Sequence, residues 1–190
     1  MPLFLMILGR LTQAMRPDKH SERFFPMEWL LPIKIALTLA MAVVVISDVR
    51  RYLIPNSINL FILGLYPFAA YFLGLAWPMA LAAMAIAFVI GMGIFALGIM
   101  GGGDVKLLIV LVLWTGWSMD TPNFLFLTAI FGAVLVVAVL LARWFLAPLW
   151  ARASKTAELP RILRAKQPVP YGVAIAAAFS YLLWMNQVPG

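Results

Sequence analysis

Cysteine is absent from the 190 residues, and histidine occurs once, as His20. Without thiols, disulfides and thiolate-ligated metals are excluded. A single imidazole argues against a histidine metal site or a histidine-based catalytic triad, so no metal and no cofactor is expected. Charge is scarce as well: 11% of residues are charged and 65% are apolar, with a mean hydropathy of +1.01. A soluble domain of this size runs nearer half apolar and a quarter charged. A soluble fold could not cover this much apolar surface, so the bilayer has to be the solvent. The length fits one domain.

What charge there is has a sign, +7 net. A nucleic-acid partner would explain that number, but the basic residues fall in short stretches beside apolar runs, which is the pattern of loops held at the cytoplasmic face of a membrane. The expectation is therefore lipid contact and no nucleic acid. Residues 2–15 place Leu3, Phe4, Met6, Ile7, Leu11 and Met15 roughly on one helical face, as in a segment lying on a membrane surface. They lack the basic start and small-residue cleavage site of a signal peptide. Residues 16–26 are mostly polar, so 1–26 is expected to be an interfacial segment and linker, and 27–190 the membrane domain.

A spanning helix needs about 20 mostly apolar residues. The first expected span is 27–47, with Lys34 near one end reaching outward. Positions 52–103 hold no Asp, Glu, Lys, Arg or His, which is room for two spans, 58–75 and 78–100, joined by a turn at 74–78. A shorter span at 105–117 follows, then Asp120-Thr121-Pro122 as a helix cap and first turn. Spans at 123–146 and 170–184 complete an all-α, polytopic protein of about six transmembrane helices. Trp114, Trp117, Trp144, Trp150 and Trp184 are expected in the interfacial belts.

Six spans put three connections on one side. Those carry Arg50 and Arg51, then Lys106, then Arg152, Lys155, Arg161, Arg164 and Lys166, whereas the opposite loops carry only Asp120. The bias sets the basic loops in the cytoplasm. Arg10, Arg16, Lys19 and Arg23 would then lie outside. Either residues 2–15 enter the membrane, or the loops outweigh the tail, and both readings stay open.

Asp48 ends the first span and Asp104 begins the fourth. Two crossings separate them, so both carboxylates belong to the same membrane face. Acidic residues at the hydrocarbon edge are costly and usually functional. Either alone can be a helix cap or interfacial anchor. Two that meet cannot both ionise easily, which leaves one as base and one as acid. Peptide hydrolysis by such a pair requires no metal, cysteine or histidine. Gly101-Gly102-Gly103 directly before Asp104 permits unusual backbone angles and close approach of another chain. A plain hinge or close helix packing would use the same residues.

The stretch Gly101-Gly102-Gly103-Asp104-Val105-Lys106-Leu107 resembles the GxGD motif of type IV prepilin peptidases. Asp48-Val49-Arg50-Arg51-Tyr52-Leu53-Ile54-Pro55-Asn56 is similar to that family's first motif, and Pro170-Tyr171-Gly172 to the element opening its last helix. The resemblance implies a GxGD intramembrane aspartyl endopeptidase with Asp48 and Asp104 as the catalytic pair. It implies prepilin or pseudopilin precursors as substrates, which lose a short basic leader at the cytoplasmic face of a bacterial inner membrane, with pilus or secretion assembly proteins as further partners. Without cysteine, and at this length, the chain resembles the compact CpaA/TadV-like branch serving Flp-type tight-adherence pili, which implies no N-methyltransferase activity.

Gly101, Gly102, Gly103, Lys106, Asn56 and Tyr171 are weaker substrate-binding candidates. Lys106 steadies an acidic group or anchors the interface. Asn56 starts the second helix or orients a substrate backbone, and Tyr171 lines the site or belongs to the belt. The competing reading is a small proton- or ion-coupled transporter with Asp48 and Asp104 as relay groups.

Overall fold

The computed structural model describes residues 27–153 and 168–185. The expected interfacial segment and linker at 1–26 and most of the basic 150–169 loop lie outside the described residues. Six helices follow one another: α1 (Met27–Arg51), α2 (Asn56–Leu73), α3 (Trp77–Ala96), α4 (Gly102–Thr115), α5 (Asp120–Ala153) and α6 (Tyr171–Trp184). Among the described residues there is no strand. Four helices, α1, α2, α3 and α5, are long and apolar enough to cross a membrane. The two others have 14 residues each, about 21 Å at 1.5 Å per residue.

The two short helices sit in the middle. α4 packs against α2, α3, α5 and α6, and α6 against α1, α4 and α5. Their burial explains why they do not need a full span's length: Leu107, Leu111, Leu113, Trp114, Ile175, Phe179 and Leu183 are almost wholly enclosed by protein. The longer helices turn Leu39, Leu60, Val89 and Val134 outward, toward what would be lipid. The apolar residues therefore run all round these helices instead of forming one stripe.

Local chemistry sets the ends. α2 starts after Pro55, held extended at φ −64°, ψ 134°, and stops at Gly74, whose φ of 65° suits a residue without Cβ and whose N–H donates to the Ala70 carbonyl. Pro78 lies in the first turn of α3. Gly116 closes α4 with φ 67°.

Three expectations change. Asp120 is no cap: the helix already begins there, and the Ser118 hydroxyl accepts from the Asp120 N–H at 3.1 Å. Trp114 is no belt residue. It is fully buried, its indole N–H donates to the Ile62 carbonyl at 3.2 Å, and it meets Tyr66 edge-on at 5.3 Å. A central helix needs large apolar bulk, and the indole's one donor is satisfied by α2. Lys34 does not reach outward either; it is 5% exposed, and its ammonium lies 6.0 Å from the Trp184 ring. The Trp184 indole in turn donates to Thr38 of α1 at 3.1 Å.

Candidate active site

At the end of the bundle where α1 stops and α4 starts, a cavity of about 370 Å³ opens between the α1–α2 turn and the glycine run. Asp48 and Asp104 both line it, with Tyr52, Leu53, Ile54, Asn56, Gly101, Gly102, Gly103 and Lys106. The even number of crossings thus brings the two aspartates to one site. They are close enough for the charge of one to act on the other.

α1 continues to Arg51, so Asp48 occupies its last turn instead of its end. Asp48 is 4% exposed. The backbone N–H groups of Gly172 and Val173, at the start of α6, face its carboxylate, while the oxygen Oδ2 has no hydrogen-bond partner. An enclosed carboxylate oxygen without a partner is rare in folded proteins and marks Asp48 as a candidate functional group. Asp104, half-buried, lies in the first turn of α4, whose N-terminal N–H groups favour negative charge.

The three glycines meet three different neighbours. A Cβ on Gly101 would stand 3.1 Å from Oδ2 of Asp104, one on Gly102 3.2 Å from the Phe95 ring, and one on Gly103 3.4 Å from Ile54. None of the three takes a positive φ; that geometry falls at Gly98, with φ 68°. The run therefore serves close packing of α4 against α3 and the α1–α2 turn, with Gly101 leaving the Asp104 carboxylate uncrowded.

Lys106 donates to Oδ1 of Asn56 at 3.3 Å. This pair bridges α4 and α2 at the cavity wall, and Asn56 is indeed the first residue of α2. Tyr171 is not part of the cavity lining, although it stands near enough for the charge of Asp104 to act on it. Its hydroxyl turns to the Thr128 carbonyl of α5 at 3.5 Å, and its ring covers Gly132. Among the described residues no group of three or more His, Cys, Asp or Glu comes together to hold a metal ion.

Two neighbours of the site, Gly172 and Tyr52, stand inside the family-like motifs but are not among the site candidates read from the sequence. Gly172 packs on Asp48 so closely that a Cβ there would lie 2.8 Å from Oδ2. Tyr52, in the turn after α1, has φ 54°, a left-handed conformation that costs a non-glycine residue about 1–3 kcal/mol and is most often kept where surrounding structure demands it. Its N–H donates to the Asp48 carbonyl at 2.8 Å, and Ser47 fixes the same turn by donating to the Leu53 carbonyl at 2.7 Å.

The sequence model of the type IV leader peptidase family matches residues 35–137, more than half of the chain. The match takes in Asp48, Asn56, the glycine run, Asp104 and Lys106, and ends before Tyr171. No curated protein and no solved structure matches.

Proposed function

Because the chain belongs to the type IV leader peptidase family, we propose that it cleaves leader peptides by an aspartic mechanism with Asp48 and Asp104 as the catalytic pair. The observation that carries this reading is that both carboxylates line one cavity, at the end of the bundle where α1 stops and α4 starts. Membership favours a peptidase over an ion-coupled transporter.

One carboxylate is ionised and takes a proton from a water molecule, whose oxygen attacks the scissile carbonyl carbon. The other, protonated, gives its proton to the carbonyl oxygen as the tetrahedral diol forms. Collapse breaks the C–N bond. A proton passes to the leaving nitrogen, and the pair regains its starting protonation. The two titrate as a unit, so neither is assigned as permanent base or acid. Lys106, tied to Asn56, adds a positive charge at the cavity wall, where it steadies the anionic form of the pair.

The substrates are prepilin-type precursors with a short basic leader, and the site works at the cytoplasmic face of a bacterial inner membrane. Arg50, Arg51 and Lys106 at the cavity end support that orientation. The absence of cysteine supports a compact peptidase without N-methyltransferase activity, of the kind serving tight-adherence pili.

The test is purified protein in lipid with a prepilin-type precursor, read by mass analysis of the product. A peptide with a tetrahedral hydroxyl in place of the scissile carbonyl should inhibit, because it imitates the diol. Chelators and thiol reagents should leave cleavage unchanged. Loss of cleavage on chelation would overturn the aspartic assignment.

A further inference from the structure

α2 and α3 are neighbours in sequence, joined by a tight turn, yet each packs mainly on another partner. α2 packs on α1 and α4, and α3 on α4. Two cavities, with no lining residue in common, follow each other along α2 and form a groove on that helix. The upper, about 430 Å³, lies between Asn56, Asn59 and Leu60 of α2 and Lys106 and Val110 of α4, with Phe88 of α3. The lower, about 590 Å³, lies between α2 and α3, from Tyr66 past Tyr71 and Trp77 to the Gly74 turn. The upper stretch shares Asn56 and Lys106 with the catalytic cavity. The two linings together therefore run along α2 from Asn56, at the proposed site, to the Gly74 turn; the helix has 18 residues, about 27 Å at 1.5 Å per residue. That is close to the roughly 30 Å of a bilayer's hydrocarbon core.

Two residues of this apolar lining, Asn59 and Tyr66, carry polar groups that are covered by protein and have no partner. Both carboxamide atoms of Asn59 and the hydroxyl of Tyr66 are buried and make no hydrogen bond. The two residues are 7% and 4% exposed and lie two turns apart on one face of α2. Orphaned polar groups are rare in folded proteins and call for an explanation. Around them the wall is what a lipid-embedded helix would meet: Leu60 and Phe88 are 69% and 53% exposed.

A polypeptide cut at the cavity has to be unwound there, since the carboxylates must reach a peptide carbonyl. Unwinding inside a membrane leaves N–H and C=O groups without partners, at a high cost in hydrocarbon. A carboxamide offers an NH₂ donor group and a carbonyl acceptor in the same plane, matching both groups of a peptide unit. The orphans of the enzyme and of the unwound substrate complement each other.

We propose that the groove along α2 seats the apolar transmembrane segment of the substrate beyond the scissile bond, and that Asn59, its side chain rotated into the groove, pairs with the peptide groups where that helix is unwound. The proposal deepens the leader-peptidase reading and rests on it. The substrate class is then a single-pass chain, with a polar stretch on the open side of the cavity and an apolar helix down the groove. Asn59 is a substrate-positioning residue, reached by rotation of its side chain into the trough.

The absence of cysteine makes a clean test possible. Leu60→Cys in the groove, and Ile86→Cys on the α3 side lining the cavity next to α5, are each made in the Asp104→Asn background. Each is reconstituted with a prepilin-type precursor bearing one cysteine in its apolar segment, then oxidised. The expected result is a disulfide from Leu60→Cys and none from Ile86→Cys. A bond from Ile86→Cys alone, or from neither, overturns the proposal; so does a Leu60→Cys homodimer that forms equally without precursor, which would mean that a second copy fills the groove. Wild-type cleavage and its loss in Asp104→Asn are measured alongside, so failure of the leader-peptidase reading is seen separately from failure of the groove. Asn59→Leu supplies the second measurement. It should lower kcat/KM about 10- to 100-fold, as expected for losing hydrogen bonds to an otherwise unpaired peptide unit, while the Tm holds or rises. Unchanged cleavage, or a loss that follows a fall in Tm, overturns the role of Asn59.

Discussion

Gly172→Ala isolates the contact between α6 and Asp48. The added methyl would lie 2.8 Å from Oδ2, 3.2 Å from Cγ of Asp48 and 3.0 Å from the Ile54 side chain. Comfortable non-bonded carbon contacts begin at about 3.5 Å, which the contacts to Cγ, Ile54 and Oδ2 miss by about 0.3 to 0.7 Å, so the carboxylate has to retreat by roughly 0.5 Å, or α6 has to move away from it. Asp48 is enclosed and has little room to give. A misplacement of 1 Å can cost about 100-fold in rate, so half of that predicts a loss on the order of tenfold in kcat, or about 1.4 kcal/mol of barrier. The fold should survive. Crowding costs about 1–3 kcal/mol, and alanine's better helix propensity returns up to about 1 kcal/mol. Gly64→Ala and Gly93→Ala are the controls, because nothing lies within 4 Å of either added methyl. The assay is leader removal in proteoliposomes, with Tm measured on the same preparations. A Gly172→Ala enzyme with wild-type kcat would refute the view that α6 fixes the Asp48 carboxylate.

Lys106→Ala should lower cleavage severalfold without abolishing it, because the lysine touches Asn56 and in the proposed mechanism steadies charge but makes or breaks no bond; complete loss would call for a direct role. Cleavage should pass through a maximum in pH, falling in acid as the ionised carboxylate gains a proton and in base as the protonated one loses it; a flat profile across both limbs would count against a shared proton. Trp114→Phe should lower stability by about 1–3 kcal/mol, since it removes the indole hydrogen bond to the Ile62 carbonyl and buried bulk from the centre of the bundle. Thermal unfolding in detergent checks this, and an unchanged Tm would contradict it.

Helix positions could be read from the apolar runs because spanning helices are set by length and by the absence of charge. The stretch 52–103 divided into α2 and α3 within a few residues of expectation, and the pairing of Asp48 with Asp104 followed from counting crossings. The misread residues are those whose role depends on neighbours distant in sequence. Lys34 resembles a snorkelling lysine by position alone, and Trp114 a belt residue; only the packing of α4 and α6 at the centre encloses them. Gly172 meets Asp48 across more than a hundred positions, and no local pattern records that contact. Tyr171 shares a motif with Gly172, but the helical turn directs its side chain to α5 and the glycine's bare backbone to Asp48.

The central claim is that Asp48 and Asp104 together perform the cleavage. Asp48→Asn and Asp104→Asn each keep the shape of the side chain and remove its ability to ionise or to exchange a proton. Each variant, purified in lipid and given a prepilin-type precursor, should insert with the wild-type helix content and release no leader by mass analysis. Leader release near the wild-type rate by either variant would contradict the account.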